Sequence, residues 1–200
     1  MIRRISIKSL INRYKDINLA VKASFWFVIC NFMQKGISMI TIPIFTRLMT
    51  TEQYGVYTVY QSWLSIITIL ATLNLSGSVI NNGMVKYKGK ENVFVSSLQG
   101  LSFAVTLVVL AVYLLFSGFW NSILDLPTSL VLVMFVQLLF EPAYLMWMQK
   151  SRFEFKYKGV VSVTLIIAVL SPCLGVLAVI TAENKVFARV FSYALVQVAV

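Results

Sequence analysis

The sequence predicts an all-α membrane protein, a polytopic bundle of transmembrane helices rather than a water-soluble domain. Of the 200 residues, 59% are hydrophobic and only 12% are charged, whereas soluble domains contain about 25% charged residues. The mean hydropathy is +0.84. Apolar segments of roughly 20 residues, the length that crosses a bilayer as a helix, recur along the chain between short polar loops. These observations leave no room for a large soluble domain.

Five complete spans and the beginning of a sixth are predicted. They fall at about residues 23–45, 54–80, 95–120, 128–148, 160–182 and 190–200. The last segment has 11 residues, too few to cross a core of about 30 Å at about 1.5 Å per residue. It is either an interfacial stub or an interrupted sixth span, and we favour the second interpretation, with the chain forming the N-terminal half of a larger bundle.

Two of the connections carry helix-start signals. Only RLMTTEQYG separates spans 1 and 2, and Thr50 and Gln53 have the spacing of a capping box. These two spans should therefore form a tight helical hairpin. Between spans 3 and 4, Asp125 is the predicted N-cap, with Pro127 in the first turn of the helix that follows.

Residues 1–22 are predicted to form a basic amphipathic helix on the membrane surface, separate from the bundle of residues 23–200. Its apolar residues follow helical spacing: Ile7, Leu10, Ile11, Tyr14, Ile17 and Val21. A cleaved signal peptide fits less well, because no small-residue cleavage site follows the apolar run.

The charge distribution predicts a cytoplasmic N-terminus. The net charge is +10, but the cations lie in short loops beside apolar spans, which indicates membrane orientation rather than nucleic-acid binding. With the N-terminus inside, the cytoplasmic segments carry thirteen Lys or Arg residues and the opposite side three, namely Arg47, Lys185 and Arg189. The chain contains no His, so no metal site, cofactor or His-dependent nucleophile is predicted.

Polar side chains at helical spacing indicate a wet central cavity. The stripe on span 1 is Asn31, Gln34, Lys35, Ser38 and Thr41, and that on span 2 includes Tyr57, Gln61, Ser65, Thr68 and Thr72. Span 4 contributes Gln137, Glu141 and Tyr144. Close helix packing is the alternative explanation for Ser and Thr, but it explains less well the Asn, Gln and Lys of span 1. The candidate substrate-binding residues are Asn31, Gln34, Lys35, Arg47, Tyr57 and Gln61.

The two charges nearest to the membrane centre allow alternative roles. A lysine at the centre of a span costs roughly 2.5–3.5 kcal/mol on insertion scales, so Lys35 needs a partner. It either binds an anionic substrate or forms a buried ion pair with Glu141. Glu141 is also the candidate for ion coupling, and it directly precedes Pro142, a residue that bends a helix. Arg47 is either an interface anchor or a second contact for the same anion.

The run KGISMITIPIFTRLMTTEQYGVYTVYQSW resembles the first helical hairpin of Wzx-type polysaccharide flippases, the exporters of O-antigen and capsule repeat units in the multidrug/oligosaccharidyl-lipid/polysaccharide superfamily. The matching positions are Pro43, Thr46, Arg47, Leu48, Glu52, Tyr54, Gly55 and Tyr57. The loops NNGMVKYKGKEN and QKSRFEFKYKG are similar too. The likeness extends over essentially the whole chain.

The resemblance implies a transporter of twelve to fourteen spans, not an enzyme. Such a protein moves undecaprenyl-pyrophosphate-linked oligosaccharides from the cytoplasmic to the periplasmic leaflet of the bacterial inner membrane, with Lys35 and Arg47 meeting the pyrophosphate. Its partners would be the lipid-linked substrate, membrane lipids and other polysaccharide assembly proteins, but not nucleic acid. A drug or cation exporter of the same superfamily is the first alternative, although a cationic cavity disfavours it. A polysaccharide polymerase or ligase is less favoured because the outer loops are short.

Overall fold

The structure, a computed structural model, describes residues 18–199. This part of the chain forms eight α-helices: α1 (Leu19–Leu48), α2 (Thr51–Thr72), α3 (Ser78–Lys86), α4 (Glu91–Leu115), α5 (Ser117–Leu124), α6 (Thr128–Phe153), α7 (Tyr157–Thr181) and α8 (Lys185–Ala199). Most of the predicted surface helix of residues 1–22 lies outside the described residues. Residues 19–22 belong to α1, which continues without a break into the first predicted span.

Four helices of the described part, α1, α4, α6 and α7, are long and apolar enough to cross a membrane. The protein is therefore an all-α membrane protein, as predicted. α2 has 22 residues but carries Gln61, Ser62, Ser65 and Thr68 among its apolar residues, which lowers its hydropathy. The second and sixth spans, and the larger transporter of which they would be part, stay predictions.

The second predicted span is not one continuous helix. α2 ends at Thr72, and Leu73 and Asn74 both adopt left-handed backbone conformations, with φ of 48° and 51°. The Asn74 amide donates to the Ile69 carbonyl, the pattern of a Schellman C-cap. The prediction of a helix through Ile80 was wrong because apolar content alone does not detect such a stop, and the chain resumes in the short helix α3.

The connection before α6 also differs from the prediction. α4 ends at Leu115, short of the predicted end at Trp120, and the chain continues in the separate helix α5. Asp125 is the C-cap of α5, with φ of 52°, and not the N-cap of α6. Pro127 occupies that N-cap in an extended conformation. Asp tolerates the left-handed region better than most residues do, so it can end a helix as well as start one.

The predicted capping box at the start of α2 is confirmed. The Gln53 amide donates to Thr50 Oγ1 at 3.2 Å, and the Thr50 amide donates to Gln53 Oε1 at 3.1 Å. Two helix-start amides are thereby satisfied, which allows α1 and α2 to be joined by two residues. The tight turn places the C-terminal end of α1 beside the N-terminal end of α2.

The core lies between α2, α4, α6 and α8, where the fully buried side chains include Tyr60, Val131, Met134, Leu138 and Val190. α6 is the most enclosed of the four long apolar helices. α1 packs mainly on α7 and turns large apolar residues outward, with Phe32 and Met39 exposed by 81% and 77%. Such a surface is expected to face lipid rather than water.

α8 begins at Lys185, five residues before the predicted sixth span. Arg189, which the sequence prediction placed in the outer loop before the sixth span, therefore lies in the second turn of a helix and is buried. Lys185 Nζ donates to the Leu48 carbonyl at 2.7 Å. This bond satisfies one of the carbonyls at the end of α1 that have no partner within the helix, and it fixes the start of α8 against α1.

Candidate functional site

A cavity of about 430 Å³ lies between α1, α2, α7 and α8. Its polar lining consists of amide, hydroxyl and guanidinium groups: Gln34, Ser38, Thr41, Tyr54, Tyr57, Gln61, Ser171, Arg189 and Tyr193. Apolar side chains such as Ile37, Phe45 and Ile167 complete the wall. Cavities of this size hold small ligands or ligand headgroups. The mixture of hydroxyls, amides and one cation suits a polar ligand with negative charge.

Arg189 is the central charge of the cavity. Only 6% of the residue is exposed, and its Cζ atom lies 4.0 Å from the centroid of the Phe45 ring and 5.3 Å from that of Tyr57. Both distances are in the range of cation–π interactions. Nη1 donates to the Ser171 carbonyl at 3.4 Å, a long bond. The aromatic rings and this carbonyl hold the guanidinium in place without neutralising it.

The Arg189 charge has no acidic partner within residues 18–199. No carboxylate lines the cavity, no ion pair involves Arg189, and its buried Nε atom has no hydrogen-bond acceptor. A buried charge without a counterion is costly, and a buried donor without a partner costs about 1–3 kcal/mol. An anion entering the cavity would relieve both costs, so the arrangement is that of an anion-binding site.

A glycine on α7 makes room for this guanidinium. A Cβ atom added to Gly175 would lie 2.4 Å from Arg189 Nη1 and 3.0 Å from Phe45 Cζ, closer than van der Waals contact allows. α7 also contains Pro172, which removes one backbone hydrogen bond from the helix at this level. Residues 171–175 therefore form a notch in α7 in which the Arg189 head group lies.

Three of the predicted binding residues line the cavity. Gln34 projects from α1, and Tyr57 and Gln61 project from α2, where Gln61 Nε2 donates to Tyr57 Oη at 3.1 Å. Asn31, Lys35 and Arg47 are exposed and lie outside the lining. The structure thus brings the neutral candidates together with Arg189 and leaves the two cationic candidates on the surface of α1.

Lys35 and Glu141 do not form an ion pair in the described structure. Glu141, on α6, accepts a hydrogen bond from Thr68 Oγ1 at 3.0 Å, and the Gln197 side chain of α8 lies beside its carboxylate. It does not line the cavity. The alternative that placed Lys35 and Glu141 together is therefore not adopted in this conformation.

Sequence reasoning missed Arg189 and Tyr193 as cavity residues. Arg189, Tyr193 and Gln197 are spaced by four residues, so they share one face of α8. This spacing was visible in the sequence. The prediction started the helix at residue 190, and Arg189 was consequently counted as a loop residue.

A family model described as "Polysaccharide biosynthesis protein" matches residues 20–200. The chain belongs to this family of polysaccharide biosynthesis proteins. The match includes all the helices that line the cavity, so the site described above is part of the family domain. Searches of curated proteins and of solved structures gave no match.

A role in polysaccharide biosynthesis agrees with the chemistry of the cavity. Sugar hydroxyls hydrogen-bond to amides and hydroxyls, which Gln34, Gln61 and the tyrosines provide. The sugars of biosynthetic intermediates are activated through phosphate esters, and Arg is well suited to bind phosphate through its planar set of donors.

Proposed function

We propose that this membrane protein is a flippase for undecaprenyl-pyrophosphate-linked oligosaccharide repeat units. It moves them from the cytoplasmic to the periplasmic leaflet of the bacterial inner membrane, for the assembly of O-antigen, capsule or exopolysaccharide. The observation that carries the proposal is the buried Arg189 without a counterion, in a polar cavity of a polysaccharide biosynthesis protein. The activity is transport rather than catalysis, and it requires no cofactor.

In this proposal, different groups of the cavity bind different parts of the substrate. Arg189 binds a phosphate oxygen of the headgroup, and Gln34, Gln61 and Tyr57 hydrogen-bond to the sugars. The polyprenyl chain stays in lipid, against the apolar outer face of α1 around Phe32 and Met39. Transport follows if the bundle opens alternately to the two sides of the membrane, as in transporters built around a site near the midplane. Other polysaccharide assembly proteins would receive the exported unit.

The test is restoration of repeat-unit export in a strain that lacks its own flippase but still makes and polymerises repeat units. Oxidation by periodate, added to intact spheroplasts, measures the fraction of lipid-linked sugar in the outer leaflet. We expect expression of the protein to move repeat units to the periodate-sensitive side and to restore surface polysaccharide.

An unchanged inner-leaflet pool, with the protein present in the membrane, would contradict the proposal. A strain that lacks only the polymerase serves as the control, because it exports single repeat units that are already sensitive to periodate. Restoration of polysaccharide in that strain instead would identify a polymerase.

A further inference from the structure

Glu141 is the end point of a hydrogen-bond network that links three helices. The Tyr60 hydroxyl of α2 donates to Gln137 Oε1 of α6, and Gln137 Nε2 donates to Gln197 Oε1 of α8 at 3.5 Å. The Gln197 side chain lies beside the Glu141 carboxylate, with its amide N–H groups as available donors. From the other side, Thr68 Oγ1 donates to Glu141 Oε2 at 3.0 Å. Tyr60 and Gln137 are fully buried, so this part of the network is shielded from solvent.

Every donor in this network points toward the carboxylate. An ionised carboxylate only accepts hydrogen bonds, so it is a natural end for such a chain. A protonated carboxyl group carries one O–H donor of its own, which needs an acceptor. The Thr68 hydroxyl provides one if it rotates, and the Gln197 amide provides one if it turns its oxygen toward the carboxyl group. In a low-dielectric interior an unpaired polar group is costly. The network therefore has two arrangements, and a proton on Glu141 selects between them.

The surroundings of Glu141 provide no compensating cation. The titratable groups that face it are Tyr60 from α2 and Tyr193 from α8. Tyr144, on the same helix as Glu141, lies near Tyr193. Three further helices, α3, α4 and α7, also pack on α6. In the described part of the chain these helices place no charged group against Glu141, and no Lys or Arg forms an ion pair with Glu141. Glu141 is the fourteenth residue of the 26-residue helix α6, close to the middle of a span, where a lone charge is expensive.

α8 connects this carboxylate to the anion site. Arg189, Tyr193 and Gln197 lie on one face of the helix, one turn apart. Arg189, at one end of this face, contacts the cavity, and Gln197, at the other end, lies beside Glu141. Because a helix moves largely as a rigid body, a rearrangement at either end shifts the other end too. Two sites that bias one element are coupled reciprocally.

We propose that Glu141 is a proton-binding site and that α8 couples its protonation to binding of the anionic cargo at Arg189. The carboxylate takes up one proton from water, one of its two neighbours turns from donor to acceptor, and the proton returns to water later in the cycle. This inference rests on the proposed function only in identifying the anion with the transported headgroup. It adds the residue at which proton binding is coupled to transport, and the helix through which this coupling acts.

The protonation site is tested without any cargo. The protein is reconstituted in vesicles of phosphatidylethanolamine and phosphatidylglycerol, and infrared difference spectra between acid and alkaline buffer record carboxyl groups that change protonation. We expect a carboxylic C=O band that disappears in Glu141→Gln and persists in the matched control Glu183→Gln, since Glu183 is an exposed loop residue. A spectrum of Glu141→Gln identical to that of the parent protein would overturn the assignment. A carboxylate band that responds to sodium at constant pH, and not to acid, would also overturn it.

The coupling is tested by transport in the same vesicles with a pH gradient. The probe is an undecaprenyl-pyrophosphate disaccharide with a fluorescent label, and an impermeant quencher measures its transfer between leaflets. We expect the gradient to accelerate transfer by the parent protein and the Glu183→Gln control, and Glu141→Gln to fall to the rate measured without a gradient. Gln197→Leu should lose the acceleration as well but keep the titrating infrared band, because it breaks the link and not the site.

The possible failures of this experiment are distinct. Transfer by the parent protein that is independent of the gradient, or acceleration that persists in Glu141→Gln, overturns the coupling and leaves the flippase assignment intact. No transfer of the probe by the parent protein under any gradient contradicts the flippase assignment, while the infrared result still decides whether Glu141 binds a proton. Measurement of equal amounts of each variant in the vesicles establishes that a lower transfer rate does not result from a lower amount of protein.

Discussion

The cations of α1 and the cation of α8 have opposite environments. Lys35 and Arg47 belong to an apolar helix with the features of a membrane span, and both are exposed on its surface. Arg189 follows an ordinary polar loop, yet it is buried against Phe45, Tyr57 and Gly175. A charge in an apolar sequence is thus not necessarily a charge in a cavity. The helix face that it occupies, and the helices that pack there, decide what it can bind.

The strongest test of this difference is removal of the buried charge. Arg189→Ala should reduce export of repeat units by roughly tenfold or more, because a hydrogen bond to a charged group contributes about 1.5–3 kcal/mol and about 1.4 kcal/mol corresponds to tenfold. Arg189→Lys should retain part of the activity, since it keeps a charge but not the planar donors. The periodate assay in spheroplasts measures both variants. Equal loss in both would indicate a packing role instead of anion binding.

A smaller effect is expected from closing the notch that holds the guanidinium. Gly175→Ala places a methyl group 2.4 Å from Arg189 Nη1, and overpacking of this kind costs about 1–3 kcal/mol. Export should fall by less than in Arg189→Ala, and the melting temperature in detergent should also fall. Gly36→Ala on α1 is the matched control, because an added Cβ there meets no atom within 4 Å. Equal melting temperatures and export rates for the two variants would contradict the tight fit at Gly175.

The smallest effects are expected for the exposed cations. Interactions of exposed charges contribute about 0–1 kcal/mol, so Lys35→Ala should lower export by no more than about fivefold, and Arg47→Ala by less. The sequence-based hypothesis that Lys35 binds the pyrophosphate expects instead a complete loss of export. Complementation of the flippase-deficient strain, with equal amounts of protein in the membrane, separates the two expectations. Complete loss in Lys35→Ala would move the anion site to α1.

The features that could be predicted from the sequence are those that depend on residues close together along the chain. The capping box of Thr50 and Gln53 is a local pattern, and it is present as expected. The all-α membrane class follows from composition, and the polar face of α2 from its helical spacing. The helix stop at Leu73 and Asn74 was missed because it depends on backbone conformation, which apolar content does not reveal. The role of Arg189 was missed because its partners, Phe45, Ser171 and Gly175, lie on other helices.

The position of Arg189 on the last described helix has a consequence for biogenesis. The chain is made from its N-terminus, so α1, α2 and α7 are made before α8. The groove that they form contains no charged side chain among the described lining residues, and it already presents the Ser171 carbonyl and the faces of Phe45 and Tyr57. When α8 packs into this groove, Arg189 contacts these groups instead of lipid, which lowers the free-energy cost of its charge. We therefore expect the groove to receive this charged segment during assembly of the bundle, before it binds any ligand.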